Sequence, residues 1–504
     1  LKHDCLSVVL SRTMTHSESD VGVLRAQVAD VVKRCFPDST GVGRGQDAVL
    51  RLSGSASKAI YRVDVAVREG TRRVCLRSTR TAGEGQNLGL SLRNEAEVMR
   101  RARAAGVPVP SVLAILPDSP LGDGIFMDWV EGESDGRRIT TAPSLARVRE
   151  SGLLGRQCGE ALARVHATPL QHLRDILPTS SLDPLLRVAQ LQAEVKSSGL
   201  CRPVLDFTLE WLKRKAPEAE TSLVLVHGDY RNGNFVVGHQ GLAGVLDWEL
   251  ASSGNRYEDL GWLCVKSWRF GAVDREVGGF ASLEDLCDGY ELAGGPVDRE
   301  AVVWWTLLGT VKWALLCVKM GLAFTADPRI IDFGVIGRRL SEAEFDCVCT
   351  IAEQTGASVN VLREVVTSTA LAPCLNPMFP STAALVEAAQ QVVSRELAPA
   401  LANVGEKRRA FVGHVVGNLL GIVARGLRDG DRFLDEEVSS LRSLLGYSEG
   451  GVVSLRAELV EQLRNGRMAV DAPGLFQHLL GQVARQLTID QPKYASLVAA
   501  LSRL

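Results

Sequence analysis

VHGDYRNGNFVVGHQGLAGVLDWE, residues 226–249, decides how this chain is read. An apolar run ends at His227, a polar loop follows to Asn234, and two short runs, Phe235–Gly238 and Gly244–Trp248, read as paired strands. Asn234 lies five residues after Asp229, and Asp247 lies 18 after it. Phosphoryl transfer needs these types in this layout. One carboxylate must orient the acceptor hydroxyl and take its proton, while an amide oxygen and a second carboxylate hold magnesium against nucleotide phosphates. A loop after one strand and a carboxylate after its partner put all three groups at one edge of a hairpin. A lone H-x-D-x-x-x-x-N is weak; the strand pair and D-W-E behind it make the pattern specific.

Upstream, the spacing predicts a helix over Val21–Cys35, then a loop. RLSGSASKAIYRVDVAV and RRVCLRSTR read as three strands with turns between them, Leu92–Ala105 as a helix, and VLAILPD with GIFMDWVEG as a strand pair. This is a small, mainly β lobe with one helix inserted. After Gly132 the pattern turns helical: Leu145–His166, Leu182–Ser197 and Val204–Arg214 before the motif, and helices from about Glu258 through Ala301–Met320 and Ser341–Ala352 after it. PCLNPMFPS, residues 373–381, packs three prolines into nine residues and reads as a linker. The expected division is an extension at 1–20, an N-lobe at 21–132, a C-lobe at 133–355, a linker at 356–381 and a helical domain at 382–504. Met14 is a candidate start.

The 504 residues carry a net charge of −2, which disfavours a basic nucleic-acid-binding surface. Ala301–Leu316 is the best candidate for a membrane span, but it is short and carries Lys312. Eleven scattered cysteines, several inside apolar runs, suggest reduced thiols and a cytoplasmic protein. Cys347 and Cys349 have no partner pair at zinc-site spacing.

HGDYRNGN and VLDWE resemble the catalytic and metal-binding segments of the aminoglycoside phosphotransferase family, a small-molecule branch of the protein-kinase-like fold. LSGSASKAIYRV, VCLR, RNEAEVMRRARAAGVPVP and FMDWVEG follow the family's order. YEDLGWL, WWTLLGTVKWALLC and GRRLSEAEFD resemble a subgroup that includes kinases linked to acyl-CoA dehydrogenases, some acting on hydroxyacyl-CoA. The resemblance covers about residues 22–352. Residues from about 380 onward resemble a helical domain of unknown function often appended to this subgroup.

The resemblance implies an α+β, two-lobed kinase-like fold followed by an all-α C-terminal domain, using ATP and Mg2+. Carried over by motif, Asp229 is the catalytic base and His227 supports its loop. Asn234 and Asp247 hold magnesium. Ser53, Gly54 and Ser55 cover the phosphates, Arg77 pairs them, and Glu95 is its helix partner, with Glu97 the competitor. Met127 and Trp129 belong to the hinge that takes adenine. The family's usual cation is Lys, so Arg77 departs from it. Asp332-Phe333-Gly334 comes about 100 residues after Asp229, too late for a metal role.

The expected function is ATP-dependent phosphorylation of a hydroxyl on a small molecule, preferably a hydroxylated metabolite or hydroxyacyl-CoA. Alternatives are an aminoglycoside or other antibiotic kinase, and an inactive nucleotide-binding module. Arg329, Arg338 and Arg339 read either as surface charge or as receivers of an anionic substrate. His166, Trp248 and Trp262 read as core. Neither nucleic acid nor membrane is an expected partner. The C-terminal domain is the expected surface for a homodimer or a partner enzyme.

Overall fold

The computed structural model describes residues 18–43, 45–52, 58–79, 89–327, 331–370, 382–403 and 406–504. The extension with Met14, the loop residues Ser53, Gly54 and Ser55, Arg329 and the segment 373–381 lie outside them.

Alternating burial builds the N-terminal sheet. β1 (Ser39–Val42), β2 (Val49–Leu52), β3 (Ala59–Val67), β4 (Gly70–Ser78), β5 (Val112–Ile115) and β6 (Gly124–Asp128) form one antiparallel sheet in the order β1-β3-β4-β6-β5, with β2 also on β3. In β3 the residues Ala59, Tyr61, Val63 and Val65 face one side. Val28, Val31 and Val32 of the helix Glu18–Cys35 pack there with Val74, Leu76 and Phe126 into a closed core. The opposite face carries Ile60, Cys75 and Arg77, with Ile60 directly across from Arg77. A two-residue turn between Val67 and Gly70 fixes that register. The helix Leu92–Ala104 starts at Ser91, whose hydroxyl accepts the Asn94 N–H, and buries Glu95, Ala96 and Val98.

The motif region adds β7 (Val224–Val226), β8 (Phe235–Gly238), β9 (Gly241–Val245) and β10 (Ser252–Gly254), paired as β8-β9 and β10-β7. The strand expected at Gly244–Trp248 thus sits earlier and ends at Val245. Asp247 has φ +65°, a left-handed conformation that no strand accommodates. The helix expected over Leu145–His166 is two helices, Ala146–Glu150 and Leu153–His166, because Gly152 between them has φ +70°. β1 and β10 were not anticipated; both are short and lack a clear period-2 pattern.

The chain packs into two compact units. One comprises residues 2–182 and 219–306 and carries the sheet and the motif; the other comprises 183–218 and 307–504. Ion pairs to buried carboxylates hold the second unit together. Arg202 grips Glu344, and Arg464 holds the buried Asp206 carboxylate at 2.6 and 3.2 Å. These pairs tie the helix Pro203–Arg214 and its N-terminal flanking residue Arg202 to helices far downstream. Among the described residues, two helices are long and apolar enough to cross a membrane: Arg299–Ala326, 72% buried over its most apolar window, and Arg409–Leu445, 28% buried.

Candidate active site

Asp229 sits in the loop between β7 and β8, and three donors fix its carboxylate. Arg231 Nε donates to both oxygens at 2.9 and 3.1 Å, Trp262 Nε1 to Oδ1 at 2.8 Å, and Asn234 Nδ2 to Oδ2 at 2.7 Å. The Arg231 guanidinium lies 4.7 Å above the Trp268 ring. With its amide nitrogen spent on Asp229, Asn234 has its oxygen as the group left to meet a cation. The Leu246 N–H donates to the Asn234 carbonyl at 2.8 Å, so the hairpin ladder brings Asn234 beside Asp247.

His227 organises this loop from beneath. Fully buried, it accepts the Asp229 N–H on Nδ1 at 3.3 Å and donates from Nε2 to the Leu246 carbonyl at 3.0 Å. Both bonds together require the neutral Nε2–H tautomer. One ring therefore links the segments bearing Asp229 and Asp247. Asp259, also fully buried, accepts the N–H groups of His227 and Gly228 at 2.7 and 2.9 Å and faces His166 Nε2 at 3.4 Å. Burial pushes its carboxyl upward, but these donors prevail and hold it below the usual carboxylate range.

A second cluster joins the sheet to Asp247. Arg77 bonds Glu95 and reaches Asp247 Oδ1 with Nη2 at 2.9 Å. Lys58 pairs with Glu95 at 3.0 Å and with Glu249 at 2.9 Å. Glu95 also accepts the Trp248 N–H at 3.3 Å. Burial raises the Asp247 carboxyl, yet Arg77 and Lys58 outweigh it and keep the group below its ordinary value. A non-glycine residue at φ +65° costs free energy, and the cluster holds it there. Asp247 and Asn234 supply hard oxygens of the kind magnesium takes, together with water and phosphate. Among the described residues, no three His, Cys, Asp or Glu side chains gather into an all-protein metal cage. The donor set fits magnesium shared with a nucleotide.

The model of the phosphotransferase enzyme family matches residues 49–293. Residues 386–494 match a domain of unknown function. The chain is 27% identical over 190 residues to acyl-CoA dehydrogenase family member 10 of Mus musculus, covering 35% of this chain and 17% of that protein. It is 26% identical over 188 residues to acyl-CoA dehydrogenase family member 11 of Homo sapiens, covering 33% and 22%. The chain thus matches about a fifth of the length of these relatives. A macrolide 2'-phosphotransferase structure from Brachybacterium faecium superposes with TM-score 0.45 at 15% identity, covering 64% of this chain and 98% of that one.

Within residues 49–293, Asp229, His227, Asn234, Asp247, Arg77 and Glu95 come together in one connected network. Glu97 stands apart on Arg101 at 2.7 Å. Met127 and Trp129 lie at the end of β6 and just beyond it. Trp248 is core, packed on His227 with ring centroids 4.5 Å apart, whereas Trp262 reaches Asp229 itself. His166 is a packed helix-end histidine that meets Tyr290 at 2.8 Å and Asp259. Arg338 pairs with Asp490, and the buried Arg339 with Glu342 at 3.1 Å, so neither is free surface charge. Asp332 lies in the helix Ile331–Arg338 of the other compact unit.

Sequence reasoning missed Lys58, Glu249, Asp259, Arg231 and the active-site part of Trp262. Lys58 had a usable signal: once the Val67–Gly70 turn sets the register, its alternation puts it on the Arg77 face. Asp259 had none, because its partners are backbone N–H groups 31 and 32 residues away.

Proposed function

We propose that this protein is an ATP- and magnesium-dependent kinase that phosphorylates a hydroxyl on a small metabolite, a hydroxyacyl-CoA being the preferred acceptor class. The observation that carries this is the Asp229 carboxylate held beside the Asn234–Asp247 pair by one buried histidine. Asp229 orients the acceptor hydroxyl and takes its proton as the acceptor oxygen bonds to the γ-phosphorus and the bond to the β–γ bridging oxygen breaks, releasing ADP. Asn234 and Asp247 hold the magnesium, which screens phosphate charge when bound. Arg77 faces the nucleotide phosphates from its anchor on Glu95. Met127 and Trp129 flank the adenine. His227 is a positioning residue, acting through the backbone of the two segments it joins.

The acceptor preference rests on Arg231. Its guanidinium lies against the base and over Trp268, a setting that repels a polycationic antibiotic and suits an acceptor carrying negative charge near its hydroxyl. The dehydrogenase-linked relatives point to the same acyl-CoA chemistry. ATP consumption measured with hydroxyacyl-CoAs, free hydroxy acids and aminoglycosides tests the proposal. Turnover with a hydroxyacyl-CoA, lost in Asp229→Asn, is expected. Turnover with aminoglycosides alone would overturn the acceptor class. ATP binding without turnover on any acceptor would favour an inactive nucleotide-binding module.

A further inference from the structure

The donors on Asp229 leave its carboxylate no vacant site. An ionised carboxylate offers about four lone-pair sites, two on each oxygen. Oδ1 accepts Trp262 Nε1 at 2.8 Å and Arg231 Nε at 2.9 Å, and Oδ2 accepts Asn234 Nδ2 at 2.7 Å and Arg231 Nε at 3.1 Å. A general base must come within hydrogen-bond reach of the proton it removes, so Asp229 has to lose one of these donors before a hydroxyl docks on it.

Arg231 is the donor able to leave. Trp262 is buried on the helix Tyr257–Cys264, and Asn234 is buried and tied a second time to the Asp229 carbonyl at 3.0 Å. Arg231 shares a single Nε–H between both oxygens, and its side chain reaches solvent at 11% exposure, beside 15% for Asp229. The Trp268 ring, 4.7 Å from the guanidinium, supports the cation without using any of its N–H groups. Nη1 donates to the Asn232 carbonyl at 3.2 Å, while the N–H groups of Nη2 make no hydrogen bond among the described residues.

An acceptor with an acyl oxygen a few carbons from its hydroxyl can exchange with this contact. The acyl oxygen, of a thioester carbonyl or a carboxylate, takes Nη2, and the hydroxyl takes the site vacated on Asp229. One shared bond is thereby replaced by two, one of them to a charged donor. A single water molecule cannot reach both groups. We propose that Arg231 guards the catalytic base and makes it select an acyl-bearing acceptor over water. This rests on the kinase reaction proposed above and names its acceptor requirement. Without the guard, water enters in place of the acceptor. Its oxygen bonds to the γ-phosphorus, the bond to the β–γ bridging oxygen breaks, its proton goes to Asp229, and ADP and inorganic phosphate leave.

The test measures release of inorganic phosphate from ATP by the full chain with no acceptor, with an acyl-CoA that lacks the hydroxyl, and with the matching free acid. These analogues offer the acyl oxygen and nothing to phosphorylate. Either one is expected to raise hydrolysis at least about tenfold, the factor that a hydrogen bond to a charged group implies, and which of them does so tells a thioester from a carboxylate. The S-alkyl-CoA thioether, which has no acyl oxygen, should leave hydrolysis low. Arg231→Leu should hydrolyse ATP at least about tenfold faster than wild type without acceptor, gain nothing from the analogues, and phosphorylate a hydroxyacyl-CoA with lower kcat/KM. A residue that only steadied Asp229 would lower both rates together when removed. Wild-type hydrolysis that no analogue stimulates, or stimulation by the thioether equal to that by the acyl-CoA, overturns this inference alone if a hydroxyl acceptor is still phosphorylated. So does hydrolysis by Arg231→Leu at or below the wild-type rate. Absence of phosphotransfer to every acceptor overturns the proposed reaction and this inference with it. The wild-type measurements need no variant, so they decide the matter if Arg231→Leu fails to fold.

Discussion

Replacing Asp259 with Asn removes one oxygen and almost no volume, which makes it a clean probe of how the catalytic loop is held. The wild-type carboxylate accepts two backbone N–H groups, at 2.7 and 2.9 Å, with His166 Nε2 at 3.4 Å, and it is fully buried. Asn keeps one acceptor and turns an NH2 group toward a backbone donor. One charge-assisted bond, worth about 1.5–3 kcal/mol, is lost, and a donor is stranded at about 1–3 kcal/mol. The expected destabilisation at neutral pH is therefore about 3–5 kcal/mol, read by urea unfolding through the tryptophans of this unit. The gap should also depend on pH. The folded carboxyl lies below its ordinary value, so its contribution is complete above the unfolded pKa of about 4 and fades as pH falls through the lower folded value. Wild-type and variant stabilities should thus converge in acid. Turnover should fall along with stability, since His227 and Gly228 lead into Asp229. A loss under about 1 kcal/mol, or a gap unchanged between neutral and acid pH, would refute this account.

Three further outcomes follow from the same geometry. Gly228→Ala should destabilise by about 2–4 kcal/mol, because φ is +81° and a Cβ would stand 2.2 Å from the Leu250 carbonyl oxygen; a thermal melt checks it. Arg77→Met should cost about 3–5 kcal/mol by leaving the buried Glu95 with Lys58 as its remaining cation, while Arg77→Lys should recover part of the stability and of nucleotide affinity in a fluorescent-nucleotide titration. Arg231→Gln should lower kcat/KM for anionic acceptors by at least about tenfold relative to neutral ones, measured with matched hydroxyacyl substrates.

The candidate site is local in sequence, and so its residues could be picked out. His227, Asp229, Asn234 and Asp247 lie within 21 residues, and one hairpin turns their spacing into proximity. The strand β3 and the helix after Ser91 were legible for the same reason: period is a property of neighbours in sequence. What holds these groups in place was not local. Asp259 acts on backbone atoms, Lys58 meets Glu95 only once β3, β4 and the helix Leu92–Ala104 have docked, and Trp262 turns its indole N–H to Asp229 from another helix. Equally hidden was the pairing of Asp206 with Arg464, 258 residues apart. Sequence by itself determined which groups are proposed for the chemistry, because phosphoryl transfer calls for those types at that spacing. Tertiary structure decided which buried partners fix them, because a buried charge accepts whichever counter-charge packing delivers.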